Sequence, residues 1–400
     1  MTTELKIFTL NCWGLPFPVI CKNRPERINA IGDYLKNGDF DVVFLQEIWV
    51  KSDFHILREK MKHTLPFSHY FYSGAIGSGL CVFSKHAITE TFYHRYHLNG
   101  HAHKIFHGDW FGGKGVGLCR IHKNGIDINL YCSHFHAEYN PLEDEYRAHR
   151  LSQALELSQF IGYTSVDCDL IILAGDLNTP AHGLGYKVIT QNGSLKDTWL
   201  EKKNCVENED IGTCDVAGNC YTPASLAKER PLGDRIDYVM YSCKSNFSVE
   251  VRDCQLGGLG KIPGHNVNYS DHEPVVAHLT VGKHGDRPPV EKKSMLSRVE
   301  RENLQECLVV LDKGVSQCLR EEKFFQLVVF LLSLILYTVN SYTDLTWDNS
   351  GIMAAISMGT AKLSMAIGIG FCVWISLIVK RGEFHGLVAC KEDVLKLLRI

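Results

Sequence analysis

Two uncharged apolar segments near the end of the chain constrain its fold more than any other feature. Residues 324–340 (FFQLVVFLLSLILYTVN) and 363–379 (LSMAIGIGFCVWISLIV) contain no Asp, Glu, Lys or Arg. A helix of about 20 apolar residues spans the ~30 Å hydrocarbon core of a bilayer. Allowing for the flanks, and for Lys362 before the second segment, we predict transmembrane helices at about 324–343 and 355–379. A buried helical hairpin in a soluble fold is the alternative.

The charges that flank these segments predict their orientation. Arg320 and Lys323 precede the first segment. Lys380 and Arg381 follow the second, whereas the loop between them has aspartates but no Lys or Arg. Because positive flanks stay in the cytosol, both ends of the pair are expected to face it. The N-terminus shows no basic stretch followed by an apolar one, so no signal peptide is expected. These features predict a multi-pass membrane protein of the endoplasmic reticulum or nuclear envelope.

The sequence pattern of the rest of the chain predicts many strands and a few helices. Helices are predicted at 23–38 and 142–163, and strands at 5–11, 41–48, 79–84, 116–121, 126–133, 169–175, 235–241, 247–255 and 274–281. Many strands with few long helices predict an α+β sandwich, with two sheets packed face to face and helices outside.

Changes in composition predict four regions. Residues 1–282 form the globular domain, and 283–322 form a polar linker followed by an amphipathic helix. Residues 323–381 hold the two transmembrane helices, and 382–400 form a short cytosolic tail. The amphipathic helix either packs on the domain or lies on the membrane surface.

Charge and cysteine usage limit the partners and the compartment. Lys and Arg number 42 against 45 Asp and Glu, so the net charge is −3. Proteins that neutralise many nucleic-acid phosphates usually carry a basic excess, which argues against nucleic acid as a partner. The 15 cysteines form no C-x-x-C pair and no regular framework, as expected for a domain in a reducing compartment.

Six short motifs place amide, carboxylate and imidazole groups next to predicted strands. They are LNCWG (10–14), LQE (45–47), SHFHAEY (133–139), GDLN (175–178), RIDY (235–238) and SDHEPV (270–275). Such groups suit phosphodiester hydrolysis, which needs an activated nucleophile and stabilisation of charge on phosphoryl oxygens. Mg²⁺ prefers oxygen ligands, so we predict Glu47 as its ligand with the amide oxygen of Asn11 beside it. His272 is the predicted general base, because imidazole titrates near neutral pH.

Together the motifs resemble the DNase I-like endonuclease/exonuclease/phosphatase superfamily. The resemblance implies a four-layer α/β/β/α sandwich, followed here by the transmembrane hairpin. It also implies that Asp237 orients the ring of His272, with a purely structural ion pair as the alternative for Asp237. Asp176 and Asn178 are implied to position the attacking water and to bind a phosphoryl oxygen. His134 is implied to bind another phosphoryl oxygen as an imidazolium.

Longer segments are similar to the neutral, Mg²⁺-dependent sphingomyelinases with two C-terminal spans. They are LNCWGLP, IGSGLCVFSKH, HGDWFGGKGVGL, HAEYNP, AHRLSQALELSQFI and GDRIDYVMY. This resemblance implies a phospholipase C-type enzyme that converts sphingomyelin in the membrane to ceramide and phosphocholine. The alternatives are the same chemistry on lyso-platelet-activating factor or other choline lysophospholipids, and then on phosphoinositides or nucleic acid. A catalytically inactive scaffold is a further alternative.

Three residues outside the core motif positions are also candidates. Lys114, in the glycine-rich stretch HGDWFGGKG, is predicted on the phosphate side, with Trp110 and Phe111 near lipid or choline. An ordinary turn with two packing aromatics is the alternative for that stretch. His136 shares a strand face with His134 and is predicted behind the site or beside the substrate. Asp271 is predicted as a further metal-side or hydrogen-bonding carboxylate.

Overall fold

The computed structural model describes residues 2–140, 142–203, 211–284, 296–346 and 351–399. Most of the predicted linker and part of the loop between the apolar segments lie outside these ranges. In chain order the strands are β1 (Thr2–Asn11), β2 (Val42–Gln46), β3 (Phe67–Tyr70), β4 (Cys81–Ser84), β5 (Ile88–Arg95), β6 (Gly115–Lys123), β7 (Ile126–His134), β8 (Leu170–Asp176), β9 (Lys196–Asp197), β10 (Asp237–Cys243), β11 (Phe247–Leu256) and β12 (Val275–Lys283). The α-helices are α1 (Arg24–Asn37), α2 (Lys51–Met61), α3 (Asp109–Gly112), α4 (Arg147–Thr164), α5 (Leu184–Asn192), α6 (Thr198–Glu201), α7 (Ala224–Glu229), α8 (Arg298–Thr346), α9 (Ile352–Trp374) and α10 (Lys380–Arg399).

The strands form two six-stranded sheets that pack face to face. The first sheet has the order β11-β12-β1-β2-β4-β3, and the second has the order β5-β6-β7-β8-β10-β9. The core between them is aliphatic, with Leu5, Val42, Leu130 and Ile172 fully buried. Each such side chain contributes roughly 1.5–3 kcal/mol when it leaves water. Helices α1 and α2 cover the first sheet, and α4, α5, α8 and α10 cover the second. The predicted four-layer sandwich is confirmed.

The two sheets bring the motif residues to one edge of the molecule. In the first sheet β1 and β2 run parallel, with Asn11 opposite Gln46 at their carboxyl ends. In the second sheet β7 and β8 run parallel, with His134 opposite Asp176. Strand β10 runs antiparallel to β8, so its first residue, Asp237, lies opposite Asp176. Motifs far apart in sequence therefore meet because each stands where its strand reaches the same edge of the sandwich.

The C-terminal helices are long, apolar and little covered by protein. The first apolar segment is part of α8, a single helix of 49 residues. The second lies in α9 and in a π-helical turn, Ile375–Val379, that leads directly into α10. Only 6% and 17% of the two apolar windows are buried by protein. Faces this apolar and this exposed need lipid around them, so the chain associates with a membrane.

The residues that flank the apolar segments pack on the sandwich. Leu304 and Leu311 of α8 are buried against the helices over the second sheet. Leu387 and Val394 of α10 are buried in the same cluster. The predicted tail is thus a helix docked on the domain, although the domain limits themselves stay predictions. Helix α4 begins at Arg147 rather than near 142, after a turn in which the Asp144 side chain accepts a hydrogen bond from the Tyr146 backbone N–H.

Candidate active site

Glu47 stands at the mouth of the site with Asn11 against it. The Asn11 side-chain NH₂ donates to Glu47 Oε1 at 3.0 Å and to Asp176 Oδ2 at 3.0 Å. Its amide oxygen accepts from the Trp13 backbone N–H at 3.0 Å. Glu47 and Asn11 are therefore adjacent as predicted, but the nitrogen of the amide faces the carboxylates. The hydrogen bond from Trp13 holds the amide oxygen away from Glu47, so Asn11 as an oxygen ligand stays a prediction.

The backbone at Glu47 is held in an unusual conformation. Its φ is +57°, in the left-handed region that costs a non-glycine residue of order 1 kcal/mol or more. Gly14 permits this arrangement, because a Cβ there would lie 2.2 Å from the Glu47 carbonyl oxygen.

Asp176 is the most heavily hydrogen-bonded carboxylate of the site. Asn178 donates to it from its backbone N–H at 2.9 Å and from its side chain at 3.3 Å. His134 Nε2 lies 3.4 Å and His272 Nε2 4.0 Å from Asp176 Oδ2. Burial opposes the charged form, but the two imidazoles and the Asn11 hydrogen bond hold the pKa of Asp176 below its usual range. Asp176 thus lies between both histidines as a carboxylate.

His272 and Asp237 form a buried pair. The Nδ1 atom of His272 lies 2.8 Å from Asp237 Oδ2, which also accepts from the Thr213 hydroxyl at 2.6 Å. This contact leaves Nε2 of the ring free to face Asp176. Burial disfavours the imidazolium, yet the pKa of His272 is raised well above its usual range by Cys214 and Asp237. We attribute the direction to Asp237, because burial raises the pKa of the Cys214 thiol to about 12 and keeps it neutral.

Lys114 reaches the site from the glycine-rich loop but is already paired. Its ammonium lies 2.6 Å from Asp109 Oδ1, 3.0 Å from His134 Nε2 and 2.6 Å from the Phe135 carbonyl oxygen. An ammonium has only donors, so Nε2 of His134 is the acceptor in this contact. The imidazolium form of His134 therefore stays a prediction.

His136 and Asp271 are both brought close to the site, His136 as a buried ring and Asp271 as a partly exposed carboxyl group. The His136 ring stacks on Tyr146 with 3.9 Å between centroids, and its Nε2 lies 3.6 Å from Asp109 Oδ2. Burial lowers the pKa of His136 to about 3, so this ring is neutral. Burial raises the pKa of Asp271 to about 6. Ser270 donates to Asp271 at 3.2 Å.

Several residues that support the site carry no sequence signal of their own. Arg27, fully buried on α1, donates to the carbonyl oxygens of Cys12 and Trp13 at 2.7 Å and 2.6 Å. It thereby fixes the loop that follows Asn11. Asp109 and Thr213 are the partners of Lys114 and Asp237. For Arg27, the one available signal in the sequence is a charged residue on an otherwise apolar helix face.

The donor set fits a hard divalent cation. Glu47, Asp176 and Asp271 bring carboxylates to one edge, and Asn11 adds an amide. Asp176, Asp237 and His272 also offer ligand atoms within 4.8 Å of one another. Oxygen-rich groups with an excess of negative charge are typical of divalent metal sites.

Comparisons with known proteins agree with this geometry. The sequence profile of the Endonuclease/Exonuclease/phosphatase family matches residues 8–272. The chain is 43% identical to human sphingomyelin phosphodiesterase 2 over 73% of this chain and 67% of that protein. It is 36% identical to a putative neutral sphingomyelinase of Caenorhabditis elegans over 99% of this chain and 91% of that protein.

Solved structures agree on the fold. The crystal structure of SmcL has a TM-score of 0.53 at 23% identity, covering 69% of this chain and 99% of SmcL. A beta toxin of Staphylococcus aureus with bound magnesium ions has a TM-score of 0.50 at 22% identity, with the same coverage of each chain. At these identities the likeness concerns the fold alone. The profile match and the sequence relatives show more: the chain belongs to the endonuclease/exonuclease/phosphatase family, as a relative of the proteins named sphingomyelin phosphodiesterase 2.

Proposed function

We propose that the chain is a Mg²⁺-dependent phospholipase C-type enzyme that hydrolyses sphingomyelin to ceramide and phosphocholine. The observation that carries the proposal is the meeting of Glu47, Asp176 and the His272–Asp237 pair at one edge of the sandwich. The substrate comes from the names of the relatives. The apolar helices fit it, because they hold the site at a membrane.

His272 acts as the general base in this proposal. Asp237 fixes the ring and holds its Nδ1 proton, so Nε2 is the atom that takes a proton from water. Asp176, 4.0 Å from Nε2, helps to place that water. The water oxygen bonds to phosphorus while the bond between phosphorus and the ceramide oxygen breaks. A proton from the imidazolium or from solvent then completes the alcohol of ceramide.

In this proposal, side chains around Asn178 and His134 bind the phosphoryl oxygens. Asn178 and His134 are proposed to bind these oxygens, which requires Asn178 to exchange its bond with the Phe135 carbonyl oxygen or with Asp176 for one with the phosphate. Lys114 lies 3.0 Å from His134 and adds positive charge behind it. Donors aimed at the developing charge stabilise the transition state more than the ground state. His136, neutral and stacked on Tyr146, supports Asp109 rather than meeting the phosphate.

Glu47 and Asn11 are the residues proposed to hold Mg²⁺, with Asp271 near by. A bound Mg²⁺ would act as a Lewis acid that neutralises charge on the phosphoryl and leaving oxygens.

The proposed location is the cytosolic face of the endoplasmic reticulum or nuclear envelope. Arg320, Lys323 and Arg381 support this orientation, because they flank the apolar segments on the domain side. Lys380 does not count for it, because its side chain is fully buried against protein.

A headgroup-release assay with the full-length protein in nanodiscs tests the proposal. Sphingomyelin, lyso-platelet-activating factor, lysophosphatidylcholine, a phosphoinositide and plasmid DNA are compared, each with Mg²⁺ and with EDTA. We expect phosphocholine release from sphingomyelin with Mg²⁺ and none with EDTA. The His272→Ala protein controls for contaminating activity. Cleavage of DNA without cleavage of a choline lipid would overturn the substrate assignment.

A further inference from the structure

A loop of the catalytic domain exposes apolar side chains next to the base of the two apolar helices. Within residues 101–113, Phe106 is 102% exposed and Ile105 is 59% exposed. They lie on a 3-10 turn, Ile105–His107, and the third residue of this turn packs against the domain. His107 stacks on Tyr139 with 4.0 Å between centroids and lies 2.6 Å from the Tyr146 hydroxyl. The exposure of Phe106 is thus built into an ordered turn.

The same loop contacts the apolar helices on both sides of that turn. Before it, the His103 ring lies 5.1 Å from that of Phe325, at the start of the first apolar segment. After it, Trp110 lies 5.7 Å from Trp374 in the second segment. Trp374 lies near the domain-side end of the second apolar segment. The loop therefore runs beside the domain-side ends of the apolar segments, and Trp is enriched where such ends meet the bilayer surface.

A buried polar group, which we call the docking cluster (His101, His149, Lys380 and Glu383), fixes this arrangement. Lys380 Nζ lies 2.7 Å from Glu383 Oε2 and 3.1 Å from His101 Nδ1. His149 Nε2, on α4, lies 3.5 Å from Glu383 Oε1. Glu321 of α8 also pairs with Lys380. The cluster ties the end of the second apolar segment to the loop and to α4, so the turn cannot drift away from the helices.

We propose that Ile105 and Phe106 insert into the lipid bilayer beside the two transmembrane helices and form a second membrane contact of the catalytic domain. The apolar surface is continuous with that of the helices, which identifies lipid as its occupant. Asp109, three residues beyond Phe106, pairs with Lys114 next to His134. The contact thus holds the phosphate-side groups against the bilayer surface from which a lipid substrate is drawn.

Bromolipid quenching tests the contact without reference to activity. Full-length Phe106→Trp protein in vesicles with dibrominated phosphatidylcholine should lose more of its added fluorescence than Val166→Trp protein. Val166 is 71% exposed and precedes β8 at the edge of the sheet opposite the site, so it is the matched control. Equal, weak quenching of the two added tryptophans would overturn the proposal.

An activity assay tests whether the bilayer contact helps the enzyme to use lipid in a membrane. This second test rests on the proposed function. The double variant Ile105→Ser/Phe106→Ser should lose roughly tenfold in kcat/KM on sphingomyelin in vesicles, as expected from ~1.4 kcal/mol of lost apolar contact. It should change less than twofold on a water-soluble short-chain sphingomyelin, and Val166→Ser should change neither. Equal losses on both substrates would overturn the bilayer contact. If sphingomyelin is not cleaved at all, the proposed function fails while the quenching result still decides this inference.

Discussion

Two buried groups of histidines and carboxylates differ in how their charge is balanced. In the active site, Asp176, Asp237 and His272 lie near the further carboxylates of Glu47 and Asp271. In the docking cluster, Lys380 lies against Glu383 and supplies the positive charge from the chain itself. The first group fits a divalent cation from solution, because its carboxylates outnumber the imidazole. The second is closed and joins the domain to its membrane helices.

The difference teaches that ligand types alone do not identify a metal site. Both groups offer imidazole and carboxylate atoms within 4.8 Å of one another. An ammonium 3.1 Å from His101 Nδ1 occupies the space that a metal would need. A buried charge must be paired, and the partner decides whether the group is structural or reactive.

The largest effect is expected from removal of the base. His272→Ala should lower turnover about 10³-fold, within the range for loss of a general base, and leave the fold intact. In the docking cluster, His149→Gln should change turnover on a water-soluble substrate less than threefold. Steady-state kinetics and circular dichroism measure both. Near-normal turnover of His272→Ala would contradict the role of His272.

The next effect concerns the metal. Glu47→Gln should raise the Mg²⁺ concentration needed for half-maximal activity by about 100-fold or more, because a neutral amide binds a hard cation weakly. Glu59→Gln is the matched control, since Glu59 pairs with Lys62 at the surface. Mg²⁺ titrations of activity after EDTA treatment measure the change. Coinciding titrations of Glu47→Gln and wild type would rule out Glu47 as a ligand.

Substitutions in the docking cluster should lower the stability of the protein rather than its turnover. Lys380→Met leaves Glu383 buried without its main partner and should cost about 3 kcal/mol of stability. Lys391→Met removes an exposed pair between α10 and Asp312 of α8 and should cost at most about 1 kcal/mol. Thermal unfolding in nanodiscs compares the two variants. Similar melting temperatures would show that the cluster does not hold the helices.

The smallest effect is a shift in the pH profile. His272 must be neutral to accept a proton, so activity should rise as pH increases through its pKa. Asp237 favours the imidazolium, so Asp237→Asn should lower that pKa and move the acid limb to lower pH. The maximal rate should fall as well, because the ring loses its orienting carboxylate. An unmoved acid limb, measured as kcat/KM against pH, would show that another group limits the rate at low pH.

Most of the fold and the core of the site could be predicted from the sequence. Strands with buried apolar runs, such as β1 and β8, have strong local patterns, and the predicted limits lie within a few residues of the observed ones. Strand β5 was missed because most of its side chains are exposed and show no alternation. Helix α2, with a charged face and only four buried residues, was also missed.

The sequence by itself predicted which groups form the candidate site and that the chain meets a membrane. Residues such as Asn11, His134 and Asp176 stand at strand ends, so the pairing of strands brings them together. The two apolar segments are continuous in the sequence, so they can be recognised without knowledge of the tertiary structure. Only the tertiary structure decided that Lys380 is buried rather than facing lipid headgroups. Its contact with His101 joins residues 279 positions apart, and such a pairing leaves no periodicity or spacing in the sequence to read.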